Sequence, residues 1–75
     1  MDQIKRGNYQ HYKGQIYKVL GTAYHSETLE PMVIYQGQYN SPKFGDHPTF
    51  VRPMKMFLES VHVDNGDIPR FKFIE

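Results

Sequence analysis

Residues 15–24 constrain the fold of this chain more than any other segment, because they read as a long strand without a polar face. The alternating sets are Ile16, Lys18, Leu20, Thr22, Tyr24 and Tyr17, Val19, Gly21, Ala23. Strand side chains point to opposite sides with a period of two, so a strand wetted on one side shows one polar set. Two mixed sets suit a strand that bends, burying one face first and the other later. Gly21 is the position for that bend, since an interior glycine often marks a bulge or a barrel corner.

The remaining punctuation belongs to an all-β chain. Residues 8–12 form a short strand ended by Lys13-Gly14, a tight turn in which glycine accepts positive φ without steric cost. Met32-Val33-Ile34-Tyr35 is continuously apolar and reads as a central strand running on toward Tyr39. Residues 37–48 carry Gly37, Asn40, Ser41, Pro42, Gly45, Asp46 and Pro48, which is loop chemistry. A short strand over residues 49–52 is stopped by Pro53. Met54, Phe57 and Leu58 then fall at i, i+3 and i+4, enough for one helical or 3-10 turn. Residues 59–63 return to strand alternation, and Asp64-Asn65-Gly66-Asp67 is the clearest hairpin turn. Phe71 and Phe73 alternate with Arg70 and Lys72, with Pro69 pointing to an edge strand.

These elements predict one mainly β domain over residues 1–75. Its expected form is a small antiparallel, strongly curved SH3-like barrel of five to six strands with one short 3-10 or helical turn. Closing the sheet removes exposed edges. An OB-like barrel is the rival, but it usually wants a longer helix between strands, and no periodic segment is long enough.

A chain of 75 residues buries only about 60% of the surface its unfolded form exposes, and no cysteine staples this one. A disulfide framework, a thiolate metal site and a cysteine nucleophile are excluded, and a reducing cytoplasm fits. The start, Met1-Asp2-Gln3-Ile4-Lys5-Arg6, lacks the apolar run of a signal peptide. No segment approaches the roughly 20 apolar residues needed to span a bilayer. The expectation is a soluble, cytoplasmic protein. With a net charge of +1 and scattered Lys and Arg, the chain shows no basic stripe of a dedicated duplex binder. Its unusual feature is six Tyr and five Phe, 15% of the residues, with no Trp. Each such ring buries about 150–250 Å², more in sum than so small a core can hide. Some tyrosines should therefore reach the surface.

His25-Ser26-Glu27-Thr28 holds ingredients of nucleophilic catalysis. A triad, however, needs nucleophile, base and orienter to converge. In an extended segment His25 and Glu27 share a side that Ser26 does not, so no catalytic set is expected. The plainer reading is a turn whose Ser26 and Thr28 hydroxyls satisfy local backbone groups. His11, His25, His47 and His62 show neither H-x-H nor H-E-x-x-H spacing, so no metal and no cofactor are expected. His11 and His25 could meet if the first strand paired with the end of the second. Arg52, at a strand end amid apolar residues, needs an acceptor: Glu59 or Glu27 internally, or an external carboxylate or phosphate held bidentately. Tyr9, Tyr12, Tyr24, Tyr35 and Tyr39 either line the core or form a binding face. Tyr35 and Tyr39, four apart, share a face on a regular strand.

Tyr9, His11-Tyr12-Lys13-Gly14, Tyr17-Lys18-Val19-Leu20-Gly21, His25-Ser26-Glu27-Thr28, Val33-Ile34-Tyr35, Tyr39, Val51-Arg52-Pro53 and Met56-Phe57-Leu58-Glu59 fall in that order. Together they resemble a family of short bacterial proteins known as the domain of unknown function 1653, over roughly residues 7–74. A departure is Phe50, where that family commonly carries Trp before its Val-Arg-Pro; phenylalanine keeps the packing but has no indole N–H. The loop over residues 40–48 also looks longer than in many members. The resemblance implies a bacterial, cytoplasmic, stand-alone module, and supplies no activity.

The functional expectation is a non-enzymatic binding module for a peptide or small anionic ligand. Its candidate ligand-binding residues are His11, His25, Glu27, Tyr35, Tyr39 and Arg52. A weak single-stranded nucleic-acid binder using the same aromatics is the alternative. A hydrolase or transferase using His25 and Glu27 is a third reading, from a different class.

Overall fold

Gly14 adopts φ +112° and donates its N–H to the His11 carbonyl at 2.7 Å, closing the turn that folds the first strand onto the second. β1 (Gly7–His11) therefore pairs antiparallel with the beginning of β2 (Ile16–Tyr24), placing Tyr9 opposite Tyr17. The computed structural model describes residues 4–75; Met1, Asp2 and Gln3, part of the start read against a signal peptide, lie outside the described residues.

β2 pairs along its length with β3 (Pro31–Gly37). The register slips partway: Val19 faces Tyr35, and the next pair is Gly21 with Ile34. Leu20 is thus the extra residue of a bulge, which bends the strand and increases its twist. The bend falls beside Gly21, where the mixed faces of residues 15–24 required one.

After β3 the chain makes a small hairpin of β4 (Asn40–Ser41) and β5 (Gly45–Asp46) inside the segment expected as loop. The Ser41 hydroxyl accepts the N–H groups of Lys43 and Phe44 at its tip, at 3.2 and 3.1 Å. β6 (Thr49–Pro53) then pairs with the far side of β3. Pro53, with no N–H to give a ladder, hands over to the single turn α1 (Met54–Phe57), whose Met54 and Phe57 point inward. β7 (Ser60–Val63) and β8 (Gly66–Pro69) form a separate hairpin, and β9 (Phe71–Phe73) returns to the free side of β1.

The main sheet is five-stranded, in the order β6-β3-β2-β1-β9. It is mainly β and strongly bent, but among the described residues it does not close into a barrel. The two ends of the ladder, β6 and β9, share no backbone pairing. Side chains bridge them instead. α1 follows β6 directly and carries Phe57 onto Phe71 of β9, with ring centroids 4.2 Å apart and planes 3° from parallel. The core consists of Tyr9, Val19, Val33, Tyr35 and Phe71 from the sheet and Met54 and Phe57 from α1, which packs over them. No helix among the described residues is long and apolar enough to cross a membrane.

Candidate functional site: an aromatic hollow around Arg52

Register decides which polar groups meet. Opposite pairs Tyr9 and Tyr17, Val19 and Tyr35, Val33 and Arg52, and His11 and Phe71 each lie on one face by the pleat. That face carries His11, Tyr17, Tyr35, Phe50, Arg52 and Phe71 from five strands. Tyr17 is the hub: its ring meets those of Tyr35 at 5.3 Å, Phe71 at 5.6 Å and His11 at 6.3 Å, all edge to face. Such pairs contribute about 0.5–1.5 kcal/mol each beyond their buried area.

Tyr39 joins this face by folding back. β3 ends at Gly37, and a Cβ built on Gly37 would come within 2.5 Å of the Tyr39 ring. Only a residue without a side chain lets the ring lie there. The Tyr39 hydroxyl then sits 3.3 Å from that of Tyr17. Tyr35 and Tyr39 thus share a face as their spacing suggested, although the strand that would have kept them in line stops between them.

Arg52 is held by aromatic side chains. Its Nε donates to the Tyr35 hydroxyl at 3.2 Å, and its guanidinium carbon lies 5.5 Å from the centre of the Phe71 ring. Neither internal partner expected from sequence takes it: Glu59 Oε1 pairs with Arg70 Nη2 at 3.1 Å, and Glu27 lies in the β2–β3 loop. Among the described residues no carboxylate lies within ion-pair distance of Arg52. Its terminal N–H groups remain for another acceptor.

His11 completes the hollow, its ring 4.9 Å from Phe71. Its Nδ1 accepts the Lys13 N–H at 3.2 Å, which places the neutral ring's proton on Nε2. Burial pushes its pKa below the usual histidine value, and the charges of Arg70, Arg52 and Lys13 push it further down. The Tyr17 hydroxyl is raised well above its ordinary pKa, first by burial and then by the Tyr39 hydroxyl, so it stays protonated. In this hollow, then, Arg52, the Tyr35 and Tyr17–Tyr39 hydroxyls and the His11 ring all offer protons. Among the described residues no carboxylate competes for them.

The other candidates sit elsewhere. His25 follows the far end of β2, whose nine residues span roughly 30 Å of extended chain, while His11 lies beside its start. The two imidazoles do not meet. His25 Nδ1 accepts the N–H groups of Glu27 and Thr28 at 3.2 and 3.3 Å, and the Thr28 hydroxyl accepts that of Glu30 at 3.2 Å. This loop is closed by its own side chains, and both His25 and Glu27 are exposed. Among the described residues no three His, Asp or Glu side chains gather as a metal site. Sequence reasoning missed Tyr17 and Phe71 as members of the cluster around Arg52. Tyr17 alone left a signal, through its place beside Val19 on one face of a two-faced strand.

Comparison with known proteins agrees with this framework. A family model described as a protein of unknown function (DUF1653) matches residues 7–73. Among solved structures, the chain is similar to the crystal structure of a DUF1653 protein from Bordetella bronchiseptica, with 34% identity and a TM-score of 0.83. The likeness covers 95% of this chain and 87% of that one. No curated protein matches the chain.

Proposed function

Since the chain belongs to the DUF1653 family, whose function is unknown, we propose from its own geometry that it is a non-enzymatic module binding a small anionic ligand or an acidic peptide. The observation that carries this reading is Arg52, half-buried, anchored at one edge by Tyr35 and without a carboxylate partner among the described residues. A guanidinium fork recognises carboxylate or phosphate in two parallel hydrogen bonds, and partial burial strengthens such bonds. His11, Tyr35 and Tyr39 share its face. His25 and Glu27 do not, so the ligand site in this proposal contracts to the hollow. A meander of β1, β2, β3 and β6, with β9 returned beside β1, supports reading the fold as an opened SH3-like variant. A reducing, cytoplasmic setting belongs to the same proposal, since nothing in the chain depends on a disulfide.

The test is titration of the protein with benzoate and with inorganic phosphate, followed by amide shifts in NMR. Residues around Arg52 should move, and Arg52→Met, which keeps the stem, should abolish the response with the fold intact. An Arg52→Met protein that binds as before would overturn the assignment. A dT oligonucleotide in the same assay tests the single-stranded reading, which requires affinity falling steeply with salt.

A further inference from the structure

Arg52 lies on β6, an edge strand of the main sheet, and the backbone groups of that strand divide by register. The Gly37 N–H donates to the Pro48 carbonyl at 2.8 Å, and hydrogen-bonded pairs alternate along an antiparallel ladder. Phe50 and Arg52 therefore turn their N–H and C=O toward Tyr35 and Val33 of β3. Thr49 and Val51 turn theirs the other way, to the open edge. Among the described residues no strand pairs with them there, and no loop gives them a backbone hydrogen bond. Pro53 ends this stretch, with no N–H to present.

The side chains of the edge are sorted as well. Arg52 and Phe50 lie two residues apart on the face of the hollow, with the exposed Phe44 ring 5.9 Å from that of Phe50. Val51 lies on the outer face, 61% exposed, across from Ile34. The Arg52 guanidinium rests over Phe71 of β9, so the side chain reaches from one end of the ladder toward the other. Unpaired backbone groups and the cation thus belong to adjacent residues of one strand, where a single extended ligand meets both.

We propose that an extended acidic peptide adds to β6 as a further antiparallel strand, with Glu across from Arg52 and an apolar residue across from Phe50. This rests on the anion-binding reading above and names its ligand, the acid being a side chain of a strand rather than a free small molecule. Strand addition at a sheet edge draws affinity from main-chain bonds and specificity from alternate side chains. Thr49 and Val51 each offer the incoming strand an N–H and a C=O. Across from Arg52 and Phe50 the pairs are not hydrogen-bonded, and there Cα atoms come within about 4.5 Å and side chains approach most closely. The Glu carboxylate answers the terminal N–H groups of Arg52 that Tyr35 leaves. An antiparallel partner therefore reads Glu-x-Phe, its middle residue paired with Val51 on the outer face.

Calorimetric titration with acetyl-Thr-Glu-Val-Phe-Thr-amide, its Gln-for-Glu analogue and its N-methyl-Val analogue tests this. The parent peptide should bind about tenfold or more tightly than either analogue, since one lacks the charge and the other the strand N–H. On binding, the Thr49 and Val51 amide protons should exchange with solvent more slowly. Arg52→Met should erase the difference between the Glu and Gln peptides. Equal affinity of those two for the unmodified protein would overturn the pairing with Arg52. An N-methyl peptide as tight as its parent, or a response to benzoate but to no peptide, would overturn strand addition and leave the anion reading intact. Binding of neither peptide, benzoate nor phosphate would overturn both. Thr49 and Val51 amide shifts that follow protein concentration alone would overturn the peptide and give the edge to a second copy of this chain. If Arg52→Met fails to fold, the peptide ratios on the unmodified protein still decide.

Discussion

The loop joining β2 to β3 and the hollow near the other end of β2 hold similar side chains: an imidazole, hydroxyls and acidic or basic neighbours. In the loop they serve the backbone next to them. His25 accepts two N–H groups within three residues of itself, and Thr28 accepts one two residues on. In the hollow the partners come from distant strands, as with Arg52 and Tyr35, or Tyr17 and Tyr39. Short-range partners leave little unsatisfied, because a turn can adjust until its donors are met. Long-range partners are fixed by sheet register and packing, so donors can remain unanswered, and that is where a ligand gains most.

The largest expected effect would break this difference by removing its packing. Phe57 is fully buried and stacked on Phe71, on which Arg52 also rests. Phe57→Ala should cost about 3–5 kcal/mol. At about 4–8 °C per kcal/mol for a domain of this size, the melting temperature should drop by more than about 10 °C. Leu29→Ala, at an exposed position of the loop, should stay within about 0.5 kcal/mol. Similar melting temperatures for the two variants would show that the hollow does not depend on this core.

Next in size is Gly37→Ala. The added Cβ would meet the Tyr39 ring at 2.5 Å, so the ring must leave and its contact with the Tyr17 hydroxyl must be lost. Overpacking of this kind costs about 1–3 kcal/mol. A tyrosine ring spectrum and a denaturation midpoint both unchanged would mean that Tyr39 is not seated over Gly37.

The same contrast explains what could be read from sequence. The bend at Gly21, the Lys13-Gly14 turn, the stop at Pro53 and the helical turn after it are local events, legible because glycine, proline and side-chain spacing act on adjacent backbone. Barrel closure was not legible. It depends on whether β6 and β9 meet, and the stacking of Phe57 on Phe71 joins them without a ladder. Arg52 could be identified as needing an acceptor, but not its acceptor, because Tyr35 reaches it only through the β3–β6 register. His25 and Glu27 attracted notice through adjacency, and adjacency is what lets a loop satisfy itself.

A smaller effect tests the loop's independence. His25→Ala removes the acceptor for two backbone N–H groups in an exposed turn. The cost should be about 0.5–1.5 kcal/mol, the usual value of a neutral hydrogen bond. Benzoate and phosphate titrations should be unchanged, as they should also be for Glu27→Gln. A weaker anion response in either variant would join the two regions again and restore the wider site.

The smallest effect compares two imidazoles with the same local geometry, since His11 and His25 each accept an N–H from two residues on. His11 differs in what surrounds it. Burial and the charges of Arg70, Arg52 and Lys13 lower its pKa in the folded state. The unfolded chain therefore binds a proton at higher pH than the native one does. Stability is full above the ordinary histidine value of about 6.5 and falls as pH drops from there toward the lower native value. Urea midpoints measured between pH 7.5 and 5 should decline, and His11→Gln should remove part of that decline. If the wild-type and His11→Gln profiles run parallel, neither burial nor the neighbouring cations set the protonation of His11, and its surroundings do not distinguish it in this way.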